Sequence, residues 1–199
     1  MSKSFKPEPI VLEGNQVRLV PLALEHAEPL MASLGHPNVF RYMPCKAPET
    51  VAEMEYIIRQ AQENAQARGD VPFAIYSVEA ETFVGSTRFL DVRPEHRGIE
   101  IGWKWLGWDY QRKGLSTECK CLMLKYAFNE LGAFRVQLKT DSRNEIAQRA
   151  IAYLGAKREG TLRNHIKLWD GHLRHTVMYS ITHKEWQNDV ESALRLRML

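Results

Sequence analysis

The sequence predicts an α+β fold: a mostly antiparallel sheet flanked by helices in a sandwich-like arrangement. Three observations carry that prediction. Apolar residues repeat at helical spacing before residue 70 and at a spacing of two after it. Three period-two runs then follow one another through short polar links, which suit antiparallel neighbours. The remainder alternates strand, helix, strand, helix and strand, with no linker or low-complexity tract between. The expectation is one domain over residues 1–199.

Each element has its own justification. "IVLEGNQVRLVPL" places β-branched residues on both sides of Gly14-Asn15 and reads as a strand or short hairpin. "LEHAEPLMASLGH" reads as a short helix interrupted by Pro29, and "NVFRYMPCKAP" as a proline-bearing loop. "TVAEMEYIIRQAQENAQARG" is a helix: Thr50 and Glu53 form a capping-box pair, Val51, Met54, Ile58 and Ala61 share a face, and Gly69 stops it. "VPFAIYSVE", "TFVGSTRFLDV" and "RGIEIGWKWLG" are strands, the first two joined by the hairpin link "EAET". In the third, alternation puts Ile99, Ile101, Trp103 and Trp105 on one face and Glu100, Gly102 and Lys104 on the other.

A helix over 115–131 follows, with Leu115, Cys119, Leu122 and Tyr126 as its apolar stripe and Met123 and Ala127 beside it. "FRVQLKTD" is a strand. "SRNEIAQRAIAYLGA" is a helix that Ser142, with Glu145 or Asn144, can cap and Gly155 can end. Two strands meet at Asp170-Gly171, the expected two-residue turn, and "KEWQNDVESALRLRML" closes the chain as a helix with a basic end.

Composition narrows the function. The formal net charge of +3 permits an anionic ligand but makes a nucleic-acid binder the weakest class. Cys45, Cys119 and Cys121 have no framework spacing, which points to reduced thiols and a cytoplasmic setting. "MSKSFKPEPI" lacks the apolar core of a signal peptide, and no apolar run reaches membrane-spanning length, so no membrane partner is expected. Cys119 and Cys121 point apart on a helix, and His165, His172 and His175 lack a zinc pattern, so no metal is expected.

One stretch carries chemistry. "QRKGLS", Gln111 to Ser116, runs into the first turn of a helix, where unpaired N–H groups and the positive dipole end lie. Gly114 lets an anion approach the backbone, and Arg112 and Lys113 add charge. The loop is neither a Walker loop nor a dinucleotide fingerprint. Alone it supports two readings equally: a phosphate cradle, or a tight turn with solvated cations.

Its neighbours add a resemblance. Gln-x-x-Gly-x-small after "IEIGWKW", followed by "DSRNEIAQRAIAYLGAKREGTLRNH" and "WDGHLRHTVMYSITHKEW", is similar to the GNAT acyl-CoA-dependent N-acyltransferases, most closely the RimJ/RimL branch of ribosomal-protein N-terminal acetyltransferases. It spans residues 12 to 186. The resemblance implies a sheet of about seven strands with a V-shaped splay that holds coenzyme A. It implies acetyl-CoA as co-substrate, with no metal. It implies a loop in which Gln111, Arg112, Lys113, Gly114, Leu115, Ser116 and Thr117 wrap the pyrophosphate. It implies a strand, including Ile101, Gly102 and Trp103, that pairs with the pantetheine amides. Asn144 would contact the cofactor, and Arg149 its adenosine-phosphate end. Dimers are common among such proteins, so a homodimer is implied as well. Departures are Ser116, usually Gly or Ala; Ala147, often Ser in the RimL branch; and Ile151, where many relatives place a Tyr proton donor.

Acetyl transfer needs a base, because alkyl amines are mostly protonated at neutral pH. Glu100 is the leading candidate, since it alternates away from Ile99 and Ile101 beside the pantetheine strand, and a cleft would raise its pKa. His175 is a second titrating group. Tyr42 and Arg88 are candidate acceptor contacts, near where GNAT acceptor sites open. The acceptor would be an amine-bearing small molecule or a protein N-terminus. The alternative is a non-catalytic acyl-CoA-binding regulatory module, motivated by the missing Ser and Tyr.

Overall fold

The computed structural model describes residues 5–197. Residues 1–4 of the stretch read as lacking a signal peptide, and residues 198–199 of the basic end, lie outside the described residues, as does the side chain of Arg197. Strands β1 (Leu12–Glu13) and β2 (Val17–Pro21) form the short hairpin expected around Gly14-Asn15. Helices α1 (Ala27–Leu34) and α2 (Val51–Arg68) follow, and then β3 (Val71–Ser77), β4 (Thr82–Arg93) and β5 (Gly98–Leu106). The second half is α3 (Leu115–Lys125), β6 (Arg135–Asp141), α4 (Glu145–Tyr153), β7 (Lys157–Lys167) and β8 (Leu173–Thr182). A short α5 (His183–Glu185), a π-turn over Trp186–Val190 and α6 (Glu191–Arg197) close it. None of the described helices is long and apolar enough to cross a membrane.

The eight strands form one sheet in the order β1-β2-β3-β4-β5-β6-β8-β7. Every pair is antiparallel except β5 and β6. That parallel pair is the reason a helix, α3, must connect them. The sheet separates two cores. Val17, Phe73, Ile99, Ile101 and Leu138 pack toward α3, α4 and the C-terminal helices. Ala74 and Trp105 pack toward α1 and α2, against Leu30, Phe40, Met54 and Ile58.

Several local expectations are corrected. Pro29 does not interrupt α1; it lies in the first turn, where a missing N–H costs no helical bond. Thr50 caps α2 through Glu53 N–H, but Glu53 returns its carboxylate to Glu49 N–H rather than to Thr50. Asn144, not Ser142, caps α4 by accepting from Ala147 N–H. The β7–β8 turn is Trp169-Asp170-Gly171, not Asp-Gly alone. Gly171 N–H donates to Leu168 C=O at 3.0 Å, and its φ of 85° is one that glycine adopts without strain.

The main correction concerns β5. Trp103 has φ 50°, and the β4 register jumps from Ser86↔Trp105 to Arg88↔Gly102. Two residues, Trp103 and Lys104, therefore oppose Thr87 alone, which makes a β-bulge. The extra residue reverses the alternation. Ile99 and Ile101 face the α3 core as expected, but Trp105 faces the α1–α2 core. Lys104 is thrown toward α3, where its Nζ donates to Ser116 Oγ at 2.8 Å.

Candidate functional site

The parallel pairing of β5 with β6 lasts from Gly98↔Arg135 to Glu100↔Gln137 and then stops. Beyond Glu100, β5 stays with β4 while β6 stays with β8 up to Asp141↔Thr176. The two strands diverge, and a cavity of about 210 Å³ opens between them. Its walls include Ile101, Gly102 and Trp103 from β5 and Leu138 and Thr140 from β6. Asn144, Ala147 and Ile151 of α4 line it, as do Val39, Tyr42 and Met43 from the α1–α2 segment.

Glu100 sits where the pairing ends. It is 1% exposed, so it is not a surface glutamate. Its Oε2 accepts from Lys139 Nζ and from Gln137 Nε2, both at 3.0 Å. Burial raises its pKa above the ordinary carboxylate range, and Lys139 and Gln137 pull against that rise. The result is a carboxylate whose proton affinity is enhanced by burial while a cation and an amide hold it in place. Gly102 keeps this arrangement open: a Cβ there would lie 3.0 Å from Glu100 Oε1 and 3.1 Å from Leu90 Cδ2.

The glycine-centred loop lies at the start of α3. Arg112 and Gly114 both have left-handed backbones, with φ 62° and 82°. Thr117 and Glu118 N–H donate back to Gly114 C=O, so the N–H groups of Leu115 and Ser116 precede the first helical bonds. Arg112, Lys113 and Gly114 are exposed, and the Leu115 side chain is buried in the core, leaving only its backbone for a ligand. Lys113 Nζ stands 5.8 Å from the Tyr110 ring, and Gln111 Nε2 donates to Leu106 C=O.

The structure brings some expected residues together and not others. Glu100, Ile101, Gly102, Trp103, Asn144 and Tyr42 share the cavity. The 111–117 loop does not line it; the loop reaches it only through Ser116, which holds Lys104. Arg149 is exposed and paired with Glu145 on its own helix. Arg88 is neither exposed nor in this cavity. It is 4% exposed beneath the Trp103 ring, at 4.3 Å, with Asp70 at 3.9 Å. Burial lowers its pKa to about 10, against the pull of Asp70. His175 is occupied in the β7–β8 hairpin, where Nδ1 accepts from Asn164 N–H at 2.9 Å. Among the described residues, no cluster of His, Cys, Asp and Glu could hold a metal ion.

Sequence reasoning passed over four charged groups. Lys104 and Lys120 line the cavity; burial pushes Lys104 down to about 7, with Lys120 adding to the effect, and burial lowers Lys120 too. Arg174 lines it from β8. Glu118 is buried beneath the β1–β2 turn and accepts from the N–H groups of Asn15, Gln16 and Val17 at 2.7–3.0 Å. Glu118 and Lys120 left a signal, since each is a charge with apolar neighbours three or four residues along the helix. Lys104 left none, because the bulge that redirects it is invisible to alternation.

Comparison with known proteins agrees with this geometry. Residues 16–157 match the family model for the acetyltransferase (GNAT) domain. The uncharacterised N-acetyltransferase YoaA of Bacillus subtilis (strain 168) is 24% identical over 171 residues, covering 86% of this chain and 96% of that protein. A GCN5-related N-acetyltransferase from Brucella melitensis superposes with a TM-score of 0.90 at 27% identity, over 98% of this chain and 87% of that one. A candidate acetyltransferase from T. thermophilus gives 0.88 at 34%, over 97% and 99%. RimJ of Mycobacterium smegmatis, in complex with CoA-disulfide, shares the fold at 0.79 and 18%, over 95% of each chain. The splayed strands, the helix-capping loop and these matches together establish that the chain belongs to the GNAT acetyltransferase family and is an acyltransferase.

Proposed function

We propose that the chain is an acetyl-CoA-dependent N-acetyltransferase of one catalytic domain that transfers acetyl directly to a primary amine, with Glu100 as the base. The observation that carries this reading is the divergence of β5 from β6 immediately after Glu100. It leaves the inner edge of β5 without a strand partner over Ile101, Gly102 and Trp103, and the backbone groups of that stretch not taken by β4 or by Thr87, whose Oγ1 donates to Gly102 C=O, are available to the pantetheine amides. The first turn of α3 and the glycine before it suit a pyrophosphate. Asn144 Oδ1 is committed to Ala147 N–H, so its Nδ2 is the group left to reach the cofactor. The RimJ neighbour, which shares the fold and was solved in complex with CoA-disulfide, supports coenzyme A as a ligand.

Acetyl-CoA supplies a thioester carbonyl for attack. The amine nitrogen bonds to that carbon, the C–S bond breaks, and the amine proton passes through water to Glu100. The raised pKa of Glu100 makes it a better base than an ordinary carboxylate near neutral pH. An N–H on the open edge of β5 can donate to the carbonyl oxygen as charge develops. The departing thiol has an ordinary acidity of about 8.5, so it leaves with little help, and the apolar Ala147 and Ile151 do not prevent the reaction.

The test is acetyl-CoA turnover against a panel of amines, alongside calorimetric titration with coenzyme A. Turnover on at least one amine with coenzyme A binding is expected. Binding without turnover on any amine would instead favour a regulatory module.

A further inference from the structure

Lys104, Lys120, Lys139 and Arg174 line the cavity against a single carboxylate, Glu100. Two of these cations have partners. Lys139 pairs with Glu100 at 3.0 Å, and Lys104 donates to Ser116 Oγ. Arg174 is different. It is 6% exposed, and its buried Nε has no hydrogen-bond partner among the described residues.

The carboxylates close enough to act on Arg174 are already occupied. Asp141 is wholly buried, and Arg143 donates to it three times: N–H to Oδ1 at 2.9 Å, Nε to Oδ1 at 3.1 Å and Nη2 to Oδ2 at 2.8 Å. Glu100 Oε2 takes Lys139 and Gln137. Arg174 therefore lies in the field of both carboxylates, with its Nε bonded to neither. A buried guanidinium N–H without an oxygen partner is costly, and the planar fork matches a carboxylate. The site belongs with Glu100 rather than with the α3 loop: Arg174 pairs with Ile166 in the hairpin that shares the cavity with Tyr42 and Met43.

We propose that the acceptor is a free amino acid, whose amine reacts beside Glu100 while its carboxylate is held by Arg174. This rests on the N-acetyltransferase reading and names its substrate class. The chemistry favours a free amino acid over a protein N-terminus, where the first carboxylate has become a neutral amide and would bring no anionic oxygen to the guanidinium. Val39, Met43, Pro44 and Ile166 offer apolar contact to a side chain. The reaction converts amino acid and thioester to N-acetyl amino acid and thiol, with the amine proton leaving through Glu100.

The test compares glycine, β-alanine, 4-aminobutyrate and leucine with methylamine, ethylamine, propylamine and 3-methylbutylamine, which lack only the carboxylate. Acetyl-CoA turnover and calorimetric binding to the CoA-saturated enzyme are both measured. At least one amino acid should exceed its partner by about 10- to 100-fold in kcat/KM, mostly through KM. Arg174→Met should erase that ratio, and Arg174→Lys should restore part of it. Equal rates within every pair, or a peptide N-terminus preferred over every free amino acid, would overturn the proposal; these ratios are read on the wild type and do not depend on whether a variant folds. Carboxylate-dependent binding without turnover would uphold the acceptor site and remove only the acyl-transfer reading. Absence of both would overturn the site.

Discussion

The two halves of β5 have similar sequence patterns and different structures. From Gly98 to Gly102 the strand is flanked on both sides near its start, alternates as its residues predict, and buries Glu100 where its second neighbour departs. From Trp103 to Leu106 it has β4 alone, carries a bulge, and turns its side chains to the opposite faces. The β4 ladder also slips beside the first half, but there the extra residue lies on β4 between Leu90 and Arg93, so β5 itself keeps its alternation. In the second half the extra residue lies on β5, which bends it where its other edge has no strand partner. In the proposed mechanism the first half positions the base, and the second half makes the space.

The largest effect is expected from disabling the first half's carboxylate. Glu100→Gln keeps the shape and an oxygen for Lys139 but cannot take a proton. Turnover should fall by about 10²- to 10⁴-fold, the usual share of a general base, while coenzyme A affinity measured by calorimetry persists. The sign of the pH effect follows from the raised pKa. The wild-type base is active only when deprotonated, so kcat/KM should rise with pH through a value above the ordinary carboxylate range, and Glu100→Gln should lose that acidic limb. Wild-type turnover in the variant would remove Glu100 from the mechanism.

Next comes the bulge itself. Gly85 lies on β4 two residues from Thr87 and pairs with Leu106, and a Cβ there would stand 2.2 Å from Trp105 C=O and 3.0 Å from Leu106 Cα. Both contacts are backbone, so no side chain can move aside. Gly85→Ala should force β4 and β5 apart and cost about 3 kcal/mol, lowering Tm by roughly 6–12 °C in a protein of this size. A thermal melt checks this, and an unchanged Tm would mean that the second half is adaptable rather than held in register by Gly85.

The same contrast explains what could be read from the sequence. Period-two runs, the Thr50 cap and Gly69 were legible because they depend on nearest neighbours along the chain. Glu100 was legible as a position, since alternation holds up to Gly102. Its burial against Lys139 was not, because β6 joins β5 from a distant part of the chain. The reversal at Trp103 was hidden for a similar reason. A bulky residue at φ 50° gives no local warning, and only the register against Thr87 shows it. Arg88 was misplaced by the same blindness, as its cover is the ring that the bulge turns over it. Arg174 was passed over because its property, a cation whose neighbouring carboxylates are engaged elsewhere, is a three-body fact.

The smallest effect should come from Lys104, the residue the bulge sends toward α3. Its ammonium lies in a partly buried site with a hydroxyl as its hydrogen-bond partner and Lys120 nearby, and its pKa is pushed down to about 7 from 10.5. Below pH 7 the folded and unfolded chains both carry the proton, and the folded state bears the full cost of the charge. Between 7 and 10.5 the folded form releases it while the unfolded form keeps it, so the cost fades as pH rises. Lys104→Met removes the charge and keeps the length. It should stabilise the ligand-free protein by about 1 kcal/mol near pH 6, a Tm gain of roughly 2–4 °C, and by less near pH 9. An equal gain at both pH values would show that packing rather than charge sets the effect. A loss at pH 6 would show that the bond to Ser116 outweighs burial, and that the second half of β5 is braced by the very side chain its bulge displaced.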